Sequence, residues 1–293
     1  MERGLLTPLK KLRRQVFVEM ARVAFETDQT EIKDAIEAIP FKITPGDKPL
    51  YRESIWRERA ICSERLRLAM GLSLRPEDKP VHLTSGLRES DIADKYYEPP
   101  LMQVIPSACA ACAPNMYKVT DNCRGCVAHP CTEVCPKGAV SIVNGKSFID
   151  QSKCIKCGRC KNVCPYDAIA HHTRPCAEAC GVKAIESDDL GRAKINSDKC
   201  VSCGMCMVSC PFGAIADKSQ FFQLIRALRR GDKIIAEVAP SYLGQFGDKA
   251  TPGKVKTALL KMGFQDVFEV ALGADMGAAT EAEHYAERVA TGK

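Results

Sequence analysis

Apolar residues recur at three- and four-residue steps through Leu5, Leu9, Leu12, Val16, Met20 and Val23, which predicts an amphipathic helix at the start of the chain. A second helix is expected over residues 31–39, stopped by Pro40. A third runs from about Arg52, with Ile55, Cys62, Leu66 and Ala69 on one face and Gly71 at the C-cap. Its opposite face carries Arg52, Arg57, Arg59, Arg65 and Arg67 and reads as solvated surface, with a partner-docking patch as the sharper alternative. Cys62, on the apolar stripe, reads as a small buried hydrophobe. Residues 76–106 are rich in proline, charge and turn formers and read as a connector. Periodicity returns after Cys210. Helices are expected over residues 220–230, 252–262 (closed by Gly263) and 278–289, with a buried strand over 233–238 and another strand over 266–270. That βαβα order predicts the beginning of an α/β unit with parallel strands.

Between these stretches cysteine sets the pattern. Cys154, Cys157, Cys160 and Cys164 are followed by Pro165, and Cys200, Cys203, Cys206 and Cys210 by Pro211, so C-x2-C-x2-C-x3-C-P is spelled twice. This spacing curls three thiolates around one 4Fe-4S cubane and carries the fourth to a neighbouring cubane. Proline suits the following turn, where the lost N–H has no partner. The cross-ligation rule therefore assigns Cys154, Cys157, Cys160 and Cys210 to one cluster and Cys200, Cys203, Cys206 and Cys164 to a second. Structural zinc is the competing use of C-x2-C pairs. It does not account for the repeated C-P followed by Ala168-Ile169 and Ala214-Ile215.

A looser copy joins Cys123, Cys126, Cys131 and Cys135-Pro136, followed by an expected hairpin over residues 140–149 around Asn144-Gly145. Cys176 and Cys180 resemble only the second half of such a motif. Cross-ligation suggests Cys123, Cys126, Cys131 and Cys180 for a third cluster. Cys109, Cys112, Cys135 and Cys176 would make a fourth, leaving Cys62 as the remaining one of the seventeen cysteines. Three clusters, with either Cys135 or Cys180 completing the third, and four clusters both stand at this stage, with buried small residues as the alternative for Cys109 and Cys112. His129, His171 and His172 read as polar neighbours of the loops, and Thr173-Arg174 as donors to cluster sulfur.

Composition narrows the setting. No secretory leader is visible in residues 1–17 and no apolar run is long enough to span a membrane, so reduced thiols in a cytoplasm, and an anaerobe's at that, fit better than disulfides. A formal charge of +6 does not argue for nucleic acid, since four clusters, each carrying two negative charges with its thiolates, would turn it to about −2. The lysine and arginine surplus offsets cluster charge or forms a surface for an acidic redox partner. The expected fold class is α+β: a helical N-terminal region (1–100), a bacterial-type two-cluster 4Fe-4S ferredoxin domain with extra cluster motifs (101–220), and a partial α/β domain (221–293).

From about residue 101 onward the chain resembles iron-only hydrogenases. The likeness is carried by Asp121-Asn122-Cys123-Arg124-Gly125-Cys126, by the two ferredoxin motifs, and by residues 233–241 (KIIAEVAPS) and 261–275 (KMGFQDVFEVALGAD). The last two stretches resemble the start of the domain that houses the family's catalytic H-cluster. The family's catalytic cysteines lie in later motifs, and no cysteine follows Cys210 here. The resemblance therefore implies a hydrogenase-related oxidoreductase segment without catalytic residues of its own. It would relay electrons between a ferredoxin or similar carrier and a hydrogen-converting site on a catalytic segment or subunit. A fragment of a longer product is the expectation. A stand-alone polyferredoxin-type carrier or redox sensor is the alternative, and the iron–sulfur subunit of a molybdopterin oxidoreductase leaves the stretch after Lys233 unexplained.

Overall fold

The computed structural model describes residues 6–90 and 99–292. Three helices, α1 (Pro8–Glu26), α2 (Ile32–Ile43) and α3 (Ile55–Ala69), and the single turn α4 (Leu87–Ser90) form the N-terminal unit. Thr7 starts α1 by accepting the N–H of Lys10 at 3.3 Å, with Pro8 in the first turn. The apolar stripe buries Val16, Met20 and Ala24 of α1 against Ile32, Ile36 and Ile39 of α2 and Cys62, Leu66 and Ala69 of α3. Each large side chain so buried contributes about 1.5–3 kcal/mol.

Two details depart from expectation. Pro40 lies inside α2, because in the last turn its missing N–H forfeits a single bond while its carbonyl still accepts from Thr44 N–H at 3.1 Å and Thr44 Oγ1 at 2.6 Å. The arginine face of α3 is not solvated: Arg65 and Arg67 are buried, and Arg52, Arg57 and Arg59 also donate to backbone carbonyls. Arg67 alone reaches the carbonyls of Ser73, His82, Leu83 and Ser85 and so holds the connector against the helix. Residues 91–98 of that connector lie outside the described residues, as does Leu5.

The cysteine-rich part is one small α/β unit inserted in another. It begins with β1 (Met102–Val104), then Cys109 and Cys112, then β2 (Met116–Val119). The inner unit continues through the one-turn helix α5 (Pro130–Glu133), the hairpin β3 (Val140–Val143) and β4 (Lys146–Ile149), α6 (Arg159–Asn162) and β5 (Ile169–His172). It closes on itself, since β2 pairs antiparallel with β5, Met116 opposite His172. The outer unit then resumes with α7 (Pro175–Glu178), the hairpin β6 (Ile185–Ser187) and β7 (Ala193–Ile195), α8 (Met205–Ser209) and β8 (Ile215–Asp217). It closes by pairing β8 with β1, Met102 opposite Asp217. Both hairpins are antiparallel, and Asn144 and Gly145 turn the first at φ 52° and 75°, as its sequence predicts.

After β8 comes α9 (Phe221–Arg230). It follows the cysteines in sequence but packs on α1, with Phe222 1% exposed in the helical core and Arg226 Nη1 donating to Thr27 O at 3.3 Å. Helix α9, placed after the expected boundary at 221, thus packs on the helical unit. Beyond it stand β9 (Ile235–Val238), α10 (Pro252–Lys261), β10 (Asp266–Glu269) and α11 (Val270–Thr291). The two strands are parallel as predicted, Asp266 opposite Ile235. The buried strand expected at 233–238 is open instead, with Ile235 55% exposed, and α11 runs on through Gly273 and Gly277 and is much longer than expected.

Candidate iron–sulfur centres

One local conformation recurs four times. In the first C-x2-C of each motif the residue before the second cysteine has positive φ: Ala111 at 47°, Gly125 at 61°, Lys156 at 59° and Ser202 at 54°. Three of these carry a side chain in a region that disfavours it, so the turn is held by its surroundings. The cysteine that ends each half-motif repeats a second device. Three residues after it φ is again positive, at Gly138, Asp167, Lys183 and Gly213. The next alanine then turns its N–H onto the sulfur: Ala139 to Cys135 at 3.2 Å, Ala168 to Cys164 at 3.4 Å, Ala184 to Cys180 at 3.2 Å and Ala214 to Cys210 at 3.4 Å. Cys180 and Cys109-Ala110-Ala111-Cys112, irregular in spelling, are thus regular in shape.

Strand pairing decides which halves meet. In the inner unit α5 packs on α6, and Cys123, Cys126, Cys131 and Cys164 line one cleft that is partly open to solvent. Ser147 faces two of them, its N–H 3.5 Å from Cys123 Sγ and its Oγ 3.1 Å from Cys131 Sγ. The N–H of Ser147, then that of Gly125, holds the Cys123 thiol below the usual thiol range. Cys160 is pushed up by burial first, and the neighbouring Cys154 and Cys135 act in the same direction. In the outer unit α7 packs on α8, and Cys109, Cys112, Cys176 and Cys210 line one shared cleft. Ala193 N–H stands 3.4 Å from Cys109 Sγ, and burial pushes the Cys176 thiol up to about 11. Cys206 is raised by burial, with Cys200 and Cys203 adding to it.

These groupings differ from those expected from the spelling. Cys164 stands with Cys123, Cys126 and Cys131, not with Cys200, Cys203 and Cys206, and it takes the place expected for Cys180. Cys210 stands with Cys109, Cys112 and Cys176, not with Cys154, Cys157 and Cys160, and it takes the place expected for Cys135. The two identically spelled motifs belong to different units, so the hydrogen-bonded strands bring each to a less regular partner. Other expectations shift too. Arg174 donates not to sulfur but to Cys112 O, Glu186 O and Ser187 Oγ at 3.0 Å each and to Gly191 O at 2.8 Å. His171 stacks on Tyr117, ring centroids 4.4 Å apart, and its Nε2 is 2.7 Å from Asn115 Oδ1. Cys62 is buried as expected, its thiol pushed up to about 12 by burial.

The donor sets fit a cubane. Among the described residues no three His, Cys, Asp or Glu side chains converge as ligands of a single ion would. Eight of the thiols line the two clefts, with backbone N–H groups aimed at Cys109, Cys123, Cys164 and Cys210, the arrangement that stabilises cluster thiolates. Among the described residues no helix is long and apolar enough to cross a membrane.

Comparison with known proteins agrees. Residues 148–170 match a 4Fe-4S binding domain, 170–221 the LdpA Fe-S cluster-binding domain, and 232–293 the C-terminal domain of the iron only hydrogenase large subunit. Ferredoxin 7Fe of Hydrogenibacillus schlegelii is 40% identical over 55 residues, 19% of this chain and 70% of that protein. A ferredoxin of Methanocaldococcus jannaschii is 36% identical over 80 residues, 23% of this chain and 48% of its own length. The electron transport protein HydN of Escherichia coli (strain K12) is 43% identical over 53 residues, 18% and 30%. The chain thus spans about half or less of the length of the last two relatives.

Proposed function

We infer the function from one premise: this chain belongs to the ferredoxin family and is an iron-only hydrogenase-like protein with a ferredoxin region, its cofactors 4Fe-4S clusters that serve electron transfer. On it we propose an electron relay of four clusters feeding, or fed by, a hydrogen-converting site outside these residues. The helical region (with α9), the two nested ferredoxin units, and the α/β part from residue 232 would be its three working parts.

The proposed ligand sets are Cys123, Cys126, Cys131 and Cys164; Cys154, Cys157, Cys160 and Cys135; Cys109, Cys112, Cys176 and Cys210; and Cys200, Cys203, Cys206 and Cys180. The observation that carries this reading is the fourfold recurrence of both turn devices, which makes Cys109, Cys112 and Cys180 equivalent to the regularly spelled cysteines. Each cluster takes up and gives back one electron. The chain's residues hold the thiolates with backbone N–H groups, cover part of each site, and set cluster beside cluster within each unit. A ferredoxin or similar carrier is the proposed external partner, and the match over residues 232–293 supports the hydrogenase side.

Iron and acid-labile sulfide on anaerobically purified protein test the assignment. Sixteen iron atoms per chain are expected, falling to about twelve in Cys112→Ser. Eight iron atoms, or zinc in their place, would overturn it. Reduction by dithionite and reoxidation by a ferredoxin, with hydrogen evolved only after a catalytic hydrogenase segment is supplied, separates the relay from a stand-alone carrier.

A further inference from the structure

The arginines of the helical region converge on one of the four cysteine sets. From α1, Arg13 Nη2 donates to Ile215 O at 3.1 Å and Met207 O at 3.4 Å. Near and within α3, Arg65 Nη2 donates to Gly213 O, Arg52 Nη2 to Phe212 O at 2.8 Å, and Arg57 Nε to Ser107 O at 2.6 Å. From the other side Arg174 Nε donates to Cys112 O at 3.0 Å. Most of these carbonyls belong to segments carrying or flanking Cys109, Cys112 and Cys210, and that of Met207 lies beside Cys206 of the neighbouring set. Arg65 and Arg174 are 7% and 5% exposed, and among the described residues neither forms an ion pair with a carboxylate, whereas Arg13 is half-buried and has Asp217 beside it. The Nε atoms of Arg13 and Arg65 are buried without a hydrogen-bond partner.

Buried guanidinium charge without a counter-anion is strongly disfavoured. An anion beside it removes the penalty, and a cubane with four thiolates is one. Its reduction adds a further negative charge, which a nearby cation favours. The inner unit has no equivalent: the arginine beside its cavity, Arg124, is exposed, and none of the buried charged side chains belongs to residues 116–172.

We propose that Arg13, Arg65 and Arg174 make the site of Cys109, Cys112, Cys176 and Cys210 the most readily reduced of the four, the electron sink of the relay. Burial of the same site opposes reduction, and the arginines must outweigh it, which the buried, carboxylate-free charges of Arg65 and Arg174 are placed to do, with half-buried Arg13 adding to them. The proposal rests on the four-cluster reading above.

The test is a redox titration of the anaerobic holoprotein followed by electron paramagnetic resonance, with iron counted on every sample. Cys112→Ser identifies the site by the signal it removes or alters. That signal is expected to be the first to appear on reduction. Arg174→Gln and Arg65→Gln should each lower its reduction equilibrium constant about tenfold, about 59 mV for one electron, and leave the other signals within about twofold. Arg174→Lys should retain most of the wild-type value. Should Arg65→Gln not fold, Arg13→Gln serves in its place. A Cys112 signal that is not the first reduced, or glutamine variants that move every signal alike or none, would overturn the proposal with the four-cluster reading intact. A sixteen-iron count that fails, or a Cys112→Ser chain that loses neither iron nor signal, would sink both.

Discussion

Replacing Gly125 by alanine tests whether the inner unit is held as described. Gly125 shares its positive φ with Ala111, Lys156 and Ser202, so conformation alone does not require glycine there. The requirement is steric. A Cβ on Gly125 would lie 2.0 Å from the carbonyl oxygen of Gly145, at the tip of the β3–β4 hairpin. Restoring an ordinary contact of ~3.5 Å means moving the hairpin or the cysteine loop by more than about 1 Å. Overpacking of this kind costs about 1–3 kcal/mol, on top of about 1–2 kcal/mol for a left-handed alanine. The displacement also draws Ser147 away from Cys123 and Cys131. Gly138→Ala is the control, since its φ is likewise positive and nothing lies within 4 Å of the added Cβ. The assay is anaerobic guanidinium unfolding followed by the visible iron–sulfur absorbance, with iron per chain on the starting material. Gly125→Ala should bleach at distinctly lower denaturant than Gly138→Ala and be purified with less iron. Equal midpoints and equal iron would refute the claim that the hairpin tip braces this loop.

Two further outcomes are expected. Glu58 is buried and accepts the N–H groups of Leu50, Tyr51 and Arg52 at 2.9, 2.6 and 2.7 Å. Because hydrogen bonds to a charged group contribute about 1.5–3 kcal/mol each, Glu58→Ala should destabilise the helical unit by about 3 kcal/mol or more. Limited proteolysis should then cut within residues 46–53, and an uncut loop would count against the anchor. In the iron-free chain the thiols should alkylate in an order set by their surroundings. Cys123, lowered by the N–H groups of Ser147 and Gly125, reaches its reactive thiolate at lower pH than Cys176, which burial pushes to about 11. Iodoacetamide near pH 8, read by peptide mass spectrometry, should therefore label Cys123 before Cys176, and indistinguishable rates for the two from about pH 7 to 9 would contradict the placement.

Much of the fold was legible wherever local signals agree. The stripe through Val16 and Met20, the Asn144-Gly145 hairpin and the parallel pair of strands all arise from short-range pattern. The nesting was not legible, because β1 and β8 are three residues each and pair across more than a hundred others, too little for periodicity to register. A signal for it was present: Cys109-x2-Cys112 lacks a second half and Cys176-x3-Cys180 lacks a first, and a whole ferredoxin stands between them. Identical spelling is a poor guide to which cysteines stand together, since thiols meet through strand partners rather than through likeness of motif. Arg65 and Arg67 count as polar on a helical wheel, yet their length lets them bury the charge by reaching backbone carbonyls. Helix α9 adjoins the α/β part in sequence, while its Phe222 answers to a core laid down two hundred residues earlier.

The insertion of one unit in another gives the molecule an order of maturation. Met116 and His172 face each other across β2 and β5, and Cys112 and Cys176 lie four residues outside that pair on either side. Once the inner strands zip together, the long intervening stretch no longer has to be closed by chance, and its entropic cost falls on the guest rather than on the host. On the ribosome the guest can be complete before Cys210 emerges, whereas the host cannot be. Damage should therefore travel outward only: a lesion that splays the guest deprives Cys109 and Cys112 of their partners, while loss of Cys210 leaves the guest whole.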